Sequence, residues 1–432
     1  MLMKRMSKLL LLLAAFALFA AACGSDDDGG DETATDATEA PASADEDMAD
    51  EDMADEDMAD EDMADEDMAD EDMADEDMAD EDMADEMSMT PGEGVSVLAG
   101  RANWSSGYFQ AELYKLMLEE LGFDVSDPAA IELGPSNGYT AMALGEMDYW
   151  PNSWYPGHLS WLKNELPDGS LVEEHVSIVG QEMVAGGLQG FLVTKAFADE
   201  HGVYTMDELN RNADAIAAFD EVDAVPGNGI ADIFGCPEDW TCDDIIESQI
   251  LFSGWDNIQQ VKAGYDAMFA QAVDNADDGK AMVIYTWTPT SYLTQLRPGD
   301  NVYWMGVENV IDDSNPLGVE GGAAWSQLGA DGNPVNARIG EDACPSAATS
   351  ADGLCQLGWI AADIQVTANN DFLDANPSAR ALFEAVTLSV IDVALANVDQ
   401  DGGTPPRDIA IQWIANNRGT VDAWLDAARA AA

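Results

Sequence analysis

The chain is organised around Tyr149-Trp150-Pro151-Asn152-Ser153-Trp154-Tyr155-Pro156-Gly157-His158, which crowds four aromatic rings, two prolines and a histidine into ten residues. Pro151 and Pro156 fix φ and remove two backbone donors. We therefore predict a rigid loop that presents its rings, and neither an interior helix nor a central strand. The stretch is too stiff and too apolar for an ordinary connection between elements.

Two later segments also hold a tryptophan in a stiffened context. Cys236-Pro237-Glu238-Asp239-Trp240-Thr241-Cys242 places Trp240 inside a potential short disulfide loop, and Tyr285-Thr286-Trp287-Thr288-Pro289 places Trp287 at the end of an apolar run. Tryptophan is mostly a core residue, so packing is the alternative for each one taken alone. Together with Trp154, these residues nevertheless predict an aromatic box.

An aromatic box has a defined ligand preference. The faces of Trp and Tyr attract a quaternary ammonium by about 0.5–2 kcal/mol per ring. An ordinary ammonium or guanidinium keeps its N–H donors, and leaving these unsatisfied against rings costs about 1–3 kcal/mol each. The box therefore predicts a ligand with a methylated nitrogen.

The amino terminus has the pattern of an export signal. Three basic residues among the first eight precede the apolar run Leu9–Ala22, and small residues lead directly to Cys23. This arrangement is typical of a bacterial lipobox, so we expect residues 1–23 to be a signal peptide that ends at a lipidated Cys23. Two or more acyl chains there would attach the mature chain stably to the outer face of the membrane. A plainly secreted protein is the alternative.

An acidic repeat follows the signal. From Glu46 to Asp85 the pentad Glu-Asp-Met-Ala-Asp occurs eight times, within a stretch (24–90) that has 33 acidic residues and no basic one. Such a run repels itself and cannot bury a core, and its five-residue period disfavours a coiled coil. We expect residues 24–94 to be a disordered, extended spacer. Copper capture by the methionine thioethers is the alternative.

The remainder of the chain, 91–432, is acidic as well, with 52 acidic against 13 basic residues. Nucleic acid and anionic membrane surfaces are therefore poor partners. No motif indicates a cofactor or a metal, and we expect neither. Asp223–Asp232 faintly resembles a calcium loop, but its ligand spacing is wrong, so we predict a turn.

The five cysteines fit an exported chain. With Cys23 assigned to the lipid, Cys236, Cys242, Cys344 and Cys355 remain, and four cysteines allow three pairings. The local pairing, 236–242 with 344–355, is the simplest. Short loops gain little from closure entropy, so the expected contribution of these disulfides is rigidity.

Strands and helices alternate along the first part of the domain. Val95–Ala99 is predicted to be a first strand. A helix then runs to about Leu121, with Ser105 and Ser106 offering N-cap chemistry and Gly122 as the stop. This alternation indicates an α/β lobe with a largely parallel sheet.

A second lobe follows. Gly186–Val193 is predicted to be a strand that enters it, and Ala281–Tyr285 is predicted to be a buried strand that delivers Trp287. Residues 312–358 are rich in Gly, Pro and Asn and are predicted to be a surface excursion, and 377–396 is predicted to be one helix. A chain that leaves one lobe, builds another and returns makes a two-stranded hinge, and ligands of such folds lie in the interlobe cleft.

Several motifs occur together in this chain: Gly-Tyr-Thr-Ala-Met-Ala-Leu-Gly-Glu (138–146), Trp154-Tyr155-Pro156-Gly157-His158, Gln189-Gly190, Gly235-Cys236 through Trp240-Thr241-Cys242, and Tyr285-Thr286-Trp287-Thr288-Pro289. Together they resemble one family, the glycine betaine/L-proline-binding proteins of osmoprotectant ABC importers. The resemblance covers about 95–432, with a gap at 312–358. It implies a two-lobed, periplasmic-binding-protein-like α/β fold, with 95–188 and 308–432 as lobe 1 and 189–307 as lobe 2.

The resemblance also implies a set of ligand-binding residues: Trp154, Trp240, Trp287, His158, Thr241 and Cys242. In that family three tryptophans box the trimethylammonium group, and backbone N–H groups just after the second tryptophan hold the ligand carboxylate. Thr241 stands where the family has glycine, which matters little if only the main chain binds. Trp104 and Trp150 lie near the box segments and are candidates for additional walls. A core or surface role is the alternative for His158.

The resemblance implies a function in transport. The chain would capture glycine betaine or a related quaternary-ammonium osmoprotectant and deliver it to the transmembrane subunits of an ABC importer. It would do so at the extracytoplasmic face of the cell membrane, held there by its lipid anchor, and it would not be an enzyme. Two other classes stay open: a carbohydrate-active surface enzyme whose tryptophans stack sugar rings beside two catalytic carboxylates, and an adhesive acidic surface lipoprotein. The 85 acidic residues prevent a catalytic pair from being placed by sequence.

Overall fold

The computed structural model describes residues 89–312, 314, 326–329, 332–333 and 335–432. The predicted signal peptide, Cys23 and the pentad repeat lie outside the described residues. Residues 89–94, at the end of the predicted spacer, are bonded to the domain, because the Gly92 N–H donates to the Leu121 carbonyl (2.8 Å) and Arg429 donates to the Met89 carbonyl (3.2 Å).

In chain order the strands are β1 (Ser96–Val97), β2 (Arg101–Ala102), β3 (Asp124–Val125), β4 (Glu132–Leu133), β5 (Tyr149–Tyr155), β6 (Val176–Thr194), β7 (Ala231–Phe234), β8 (Ile258–Val261), β9 (Val283–Thr288), β10 (Val302–Trp304), β11 (Asn336–Gly340), β12 (Leu354–Ile360) and β13 (Ala362–Asn369). The α-helices are α1 (Tyr108–Glu120), α2 (Pro135–Ala143), α3 (Lys195–His201), α4 (Met206–Arg211), α5 (Ala213–Asp220), α6 (Thr241–Ser253), α7 (Tyr265–Asp277), α8 (Asn370–Ala375), α9 (Pro377–Ala385), α10 (Val390–Asp401), α11 (Pro406–Asn416) and α12 (Arg418–Arg429). Residues 223–232 are mostly turns and bends that end in the first two residues of β7, so the predicted turn is confirmed up to that point.

The fold is two-lobed and mixed α/β, as predicted. The first lobe consists of β1–β5, β13, α1, α2 and α8–α12, and the second consists of β7–β10 and α3–α7. The main sheet of the described residues has the order β5-β13-β6-β9-β7-β8, with β10 also on β6. In the first lobe the pairs β1–β3 and β2–β4 are parallel, but β13 is antiparallel to β5 and β6. The predicted largely parallel sheet is therefore wrong for that half, because β13 returns from the second lobe and inserts between β5 and β6.

The two lobes share strand β6. Its residues 176–187 pair with β13 in the first lobe, and its residues 188–193 pair with β9 in the second. The return crossing lies beside it, since Ala362 pairs with Gly187. The sequence predicted only residues 186–193 of this strand, because glycines and polar residues interrupt the alternation before Gly186, and register irregularities in the β6–β13 pairing accommodate them.

The stretch 149–158 contains a strand where a loop was predicted. All seven residues of β5 are buried, and β5 lies at the end of the strand order. A proline is tolerated in an end strand beside a bulge, and the pairing with β13 shifts register between Gln365 and Thr367, opposite Pro151. The loop prediction was wrong because it excluded a strand without considering this end position.

Helix α1 ends as predicted and begins differently. Leu113, Met117 and Leu121 are spaced four residues apart and fully buried, and Gly122 follows with a positive φ of 90°. The predicted serine cap is wrong, since neither Ser105 nor Ser106 caps the helix through its side chain, and a 3-10 turn (Ser105–Gly107) precedes α1. The Ser106 hydroxyl instead accepts a hydrogen bond from an indole of the second lobe.

The predicted surface excursion is partly core. Residues 336–360 form the β11–β12 hairpin, whose Cys344 and Trp359 are buried. Trp359 contacts Phe191 of β6 (ring centroids 5.0 Å apart), and the Val307 N–H donates to the Gln356 carbonyl (2.9 Å). These contacts place the hairpin against the second lobe and favour a return crossing near residues 360–362. The lobe boundaries at 188/189 and 307/308 stay a prediction.

The predicted helix 377–396 is two helices. The chain breaks between α9 and α10, which meet at 97°. The Leu388 N–H donates to the Glu182 carbonyl (2.8 Å), and the Ser389 hydroxyl accepts the Asp392 N–H (3.0 Å) and so caps α10. Among the described residues no single helix has the length and apolar character to cross a membrane. Helices α9 and α10 meet these two criteria only when they are taken together as a bent pair.

Candidate functional site

A cavity is lined by residues of both lobes. Its lining residues are Trp104, Pro135, Trp154, Gly157, His158, Gln189, Trp240, Thr241, Cys242, Ile245, Tyr285 and Trp287. All six residues predicted to bind the ligand are among them. Within the described part of the chain, the lining includes no Lys, Arg, Asp or Glu, so the cavity presents rings and neutral polar groups.

The indoles form perpendicular walls. The centroids of Trp104 and Trp240 are 5.4 Å apart at 74°, and those of Trp240 and Trp287 are 5.5 Å apart at 77°. Trp154 lines the same cavity from β5. Its ring packs so closely on the hinge that a Cβ at Gly187 would lie 2.6 Å from it.

Of the two candidate additional walls, the structure brings one to the cavity. Trp104 lines it. Trp150 does not, because its ring is 1% exposed and packs between Trp104 and Tyr139 as core.

The indole N–H groups of the four walls are satisfied within the protein. Asn152 Oδ1 accepts hydrogen bonds from Trp104 (2.7 Å) and Trp154 (2.8 Å). Asn103 Oδ1 accepts from Trp240 (2.8 Å), and the Ser106 hydroxyl accepts from Trp287 (3.0 Å). Because these donors are taken, the rings offer their faces to a bound group. This arrangement suits a nitrogen that has no N–H of its own.

Backbone donors reach the cavity at the start of helix α6. Trp240 is its N-cap, and Thr241 and Cys242 are its first two residues. The first N–H groups of a helix have no intrahelical acceptor, and the helix dipole adds partial positive charge there. The start of α6 therefore has backbone donors of the kind that can hold an anion such as a carboxylate.

The side chain of Thr241 makes a contact with the first lobe. Its hydroxyl accepts a hydrogen bond from the Trp161 indole (2.7 Å), and Trp161 belongs to the 3-10 helix Gly157–Lys163 of the first lobe. This hydrogen bond is a contact between the lobes, and it does not use the main-chain N–H of Thr241.

Both predicted disulfides are confirmed. Cys236 and Cys242 are joined with their Cα atoms 5.9 Å apart, and Cys344 and Cys355 with theirs 6.2 Å apart. The first bond closes the loop between β7 and α6, which carries Trp240. One covalent link thus holds both a wall of the cavity and the start of the helix.

His158 is buried beside the walls in a single tautomer. Its Nδ1 accepts the backbone N–H of Trp154 (3.2 Å) and lies 3.1 Å from the Tyr139 hydroxyl. Since Nδ1 is an acceptor, the proton is on Nε2. Burial lowers the pKa of His158 to about 3, so the imidazole is neutral. The structure therefore offers a neutral Nε2–H donor at the cavity.

This pKa predicts the pH behaviour of binding and of stability. Between about pH 5 and pH 8 the charge of folded His158 does not change, so we expect ligand affinity to stay within about twofold. The unfolded chain takes up a proton on His158 below the ordinary pKa of 6.5, and the folded chain does so only near 3. The stabilising contribution of His158 is thus complete above pH 6.5 and is lost as the pH falls toward 3. Titrations across the pH range check this, and an affinity that follows an ionisation near 6.5 would show that His158 binds in its charged form.

Several residues of the site were missed by sequence reasoning. Asn103, Asn152 and Ser106 hold the indoles in place, and Gln189 and Tyr285 line the cavity, where the Tyr285 hydroxyl donates to Gln189 Oε1 (2.7 Å). Gln189 lies in a motif that the sequence did single out. The asparagines and the serine carry no signal of their own, because their role depends on which loops meet across the cleft.

One hydrolase-like pattern is present in the chain. Gly134-Pro135-Ser136-Asn137-Gly138 has the spacing Gly-x-Ser-x-Gly. A nucleophile elbow needs its serine on a strained turn, whereas Ser136 lies in the first turn of α2 and is not among the residues with positive φ. The pattern therefore carries no argument for acyl transfer.

Comparisons with known proteins identify a family and a shared fold. A family model described as the substrate-binding domain of ABC-type glycine betaine transport systems matches residues 95–416. The chain is 28% identical over 347 residues to the glycine betaine-binding periplasmic protein OusX of Dickeya dadantii, which covers 79% of this chain and 92% of that protein. It is 26% identical over 346 residues to the glycine betaine/proline betaine-binding periplasmic protein of Escherichia coli, with the same two coverages of 79% and 92%.

A solved structure shares the fold. Lactococcal OpuAC, crystallised in its closed-liganded conformation with glycine betaine, matches with a TM-score of 0.51 at 16% identity. The match covers 77% of this chain and 99% of that one. At this identity the likeness shows a common two-lobed architecture.

Proposed function

The chain belongs to the family of substrate-binding domains of ABC-type glycine betaine transport systems, and from that premise we propose that it captures glycine betaine or a closely related betaine for an ABC importer. The observation that carries the proposal is one uncharged cavity that combines four tryptophans with the N-terminal N–H groups of a helix. A betaine has one permanent cation without N–H and one carboxylate. Each half of the ligand therefore has a matching half of the site.

The ammonium half is assigned to Trp104, Trp154, Trp240 and Trp287. Their N–H groups are bonded elsewhere, so the trimethylammonium meets only ring faces. Each face contributes about 0.5–2 kcal/mol, and more where water is excluded. A protonated amine would leave its donors without acceptors, which disfavours ordinary amino acids.

The carboxylate half is assigned to the N–H groups of Thr241 and Cys242 and to His158 Nε2. The two N–H groups start helix α6, and the neutral imidazole donates without adding a charge that would repel the ammonium. Choline has no carboxylate and therefore cannot accept hydrogen bonds from these donors. We therefore expect glycine betaine to bind more tightly than choline.

Calorimetric titration tests this function. The mature chain is titrated with glycine betaine, proline betaine, choline and a panel of oligosaccharides. Binding of a betaine with weaker binding of choline is the expected result. Equal binding of choline would contradict the carboxylate assignment, and binding of oligosaccharides alone would favour the carbohydrate-active alternative.

The location of the chain is part of the proposal. Both relatives compared above are described as periplasmic proteins, and we infer that this chain works at the extracytoplasmic face of the membrane, anchored by lipid at Cys23. The acidic segment would then be a spacer between the anchor and the binding domain. The Cys23→Ser chain should be released from the cell surface, and retention of that variant on the membrane would contradict the lipid anchor.

Deletion of the pentad repeat, residues 46–85, should leave ligand affinity unchanged within error. The repeat can act on a zwitterion only through its field, and salt screens that field over about 8 Å at physiological ionic strength. Titration of the deleted and parent chains side by side checks this. A large loss of affinity that persists at high salt would contradict the spacer role.

A further inference from the structure

One asparagine of the first lobe bonds two consecutive residues of the second. Asn103 Nδ2 donates to Asp239 Oδ2 (2.6 Å), and Asn103 Oδ1 accepts the indole N–H of Trp240 (2.8 Å). Asp239 and Trp240 both lie in the loop closed by the first disulfide. A single amide therefore connects the first lobe to the loop that carries a wall of the site.

The surroundings of this contact show close docking of the loop. A Cβ at Gly134 would lie 2.6 Å from Asp239 Oδ2, so the first lobe offers bare backbone where the carboxylate approaches. Trp104, the residue after Asn103, packs edge-on against Trp240 at 5.4 Å. Adjacent first-lobe residues thus fix the ring of Trp240 by a hydrogen bond and by an aromatic contact.

We propose that Asn103 is a positioning residue that holds the closed state and orients Trp240 within it. Both of its cross-lobe bonds exist only when the lobes meet, and they form together because one amide supplies the donor and the acceptor. In an open protein Trp240 loses this partner and its contact with Trp104, and it keeps its contacts with Tyr265 and Trp287 of the second lobe. Asn103 then contributes to the lifetime of the closed, ligand-bound state, which the dissociation rate measures. This inference rests on the proposed function of the site.

Other contacts also cross the cleft, which limits the size of the effect. The Trp161 indole donates to the Thr241 hydroxyl (2.7 Å), and the Ser291 hydroxyl donates to Asp401 Oδ2 (2.6 Å). These contacts remain when Asn103 is changed. Asn103 differs from them because one side chain bonds both a wall of the cavity and its neighbour.

A donor–acceptor exchange tests the proposal. Asn103→Asp keeps an acceptor for the Trp240 indole. It also replaces the amide that donates to Asp239 (2.6 Å) by a carboxylate, so two negative charges then face each other. We expect the dissociation rate of glycine betaine to rise about five- to tenfold with little change in the association rate. Adding Asp239→Asn restores both bonds, because the new amide at position 239 donates to the new carboxylate at position 103. The double variant should return the dissociation rate to within about twofold of the parent.

A matched pair inside the second lobe is the control. Asn228, in the turn before β7, donates through Nδ2 to Asp232 Oδ2 (3.1 Å) in β7. The same amide-to-carboxylate hydrogen bond therefore occurs there within one lobe. Asn228→Asp should lower the unfolding temperature without changing the dissociation rate. Unfolding temperatures of all variants separate a misfolded protein from an altered site.

The distance between fluorophores on the two lobes gives a readout that needs no ligand. Asn103→Asp should lengthen it in the free protein, and the double variant should restore it. An unchanged dissociation rate and distance in the folded Asn103→Asp variant would overturn the proposal, as would failure of the folded double variant to recover. If the parent binds no betaine but the distances change as expected, the proposed function fails while the role of Asn103 in closure stands.

Discussion

Trp240→Ala is expected to weaken glycine betaine binding about 30- to 150-fold, which corresponds to about 2–3 kcal/mol. The variant loses one cation–π face, about 0.5–2 kcal/mol, and the apolar contact of that face with the ligand methyl groups at about 0.8 kcal/mol per buried carbon. It also removes the ring that Trp104, Trp287 and Tyr265 pack against, so the remaining walls lose support. Calorimetric titration at a temperature where both proteins are folded measures the effect.

Two further variants show whether the loss belongs to the site. Trp240→Phe keeps an aromatic face but has no N–H for Asn103, so its affinity should lie between those of the parent and the alanine variant. Trp413→Ala removes an indole that stacks on Trp424 between α11 and α12 and does not line the cavity. It should lower the unfolding temperature and leave affinity unchanged. Parent-like affinity of Trp240→Ala would remove Trp240 from the site.

The double variant Cys236→Ser/Cys242→Ser is expected to weaken betaine binding about 10- to 50-fold although every ring remains. Without the disulfide the free protein must order the loop on binding, at about 0.5–1.5 kcal/mol for each side chain that becomes immobile. Trp240 and the start of α6 both depend on this loop. Glycine betaine is small and has few groups that can offset this cost.

The second disulfide supplies the control for the first. Cys344→Ser/Cys355→Ser opens a loop in the hairpin region, outside the cavity lining. We expect it to cost about 2 kcal/mol of stability, the low end of the usual range because the closed loop is short, and to leave affinity unchanged. If both double variants bind like the parent, the loop at Trp240 is held by its hydrogen bonds, and the first disulfide contributes only stability.

The sequence predicted those residues of the cavity that lie in a conformationally restricted stretch of backbone. Trp240 stands between two cysteines, and Trp154 stands between two prolines. Their chemistry also predicted the type of ligand, because the faces of aromatic rings attract a cation that has no N–H of its own. The two-lobed fold followed from a chain that leaves one lobe and returns to it.

The features that the sequence did not predict depend on contacts between residues that are far apart in the chain. Asn103 and Asp239 are 136 residues apart, and nothing local marks either as a partner of the other. Strand β6 was predicted too short because its two halves pair with different sheet neighbours, so no single alternation describes it. The loop prediction for residues 149–158 treated the prolines as excluding a strand, although the end of a sheet tolerates a proline such as Pro151.

A crystal structure of the domain with glycine betaine tests directly whether the ligand binds in this cavity. We expect the trimethylammonium nitrogen to lie within about 6 Å of the ring centroids of Trp104, Trp154, Trp240 and Trp287. We also expect the carboxylate to accept hydrogen bonds from the N–H groups of Thr241 and Cys242 and from His158 Nε2. A betaine bound outside this cavity, or one whose carboxylate lies against the indole faces, would contradict these expectations.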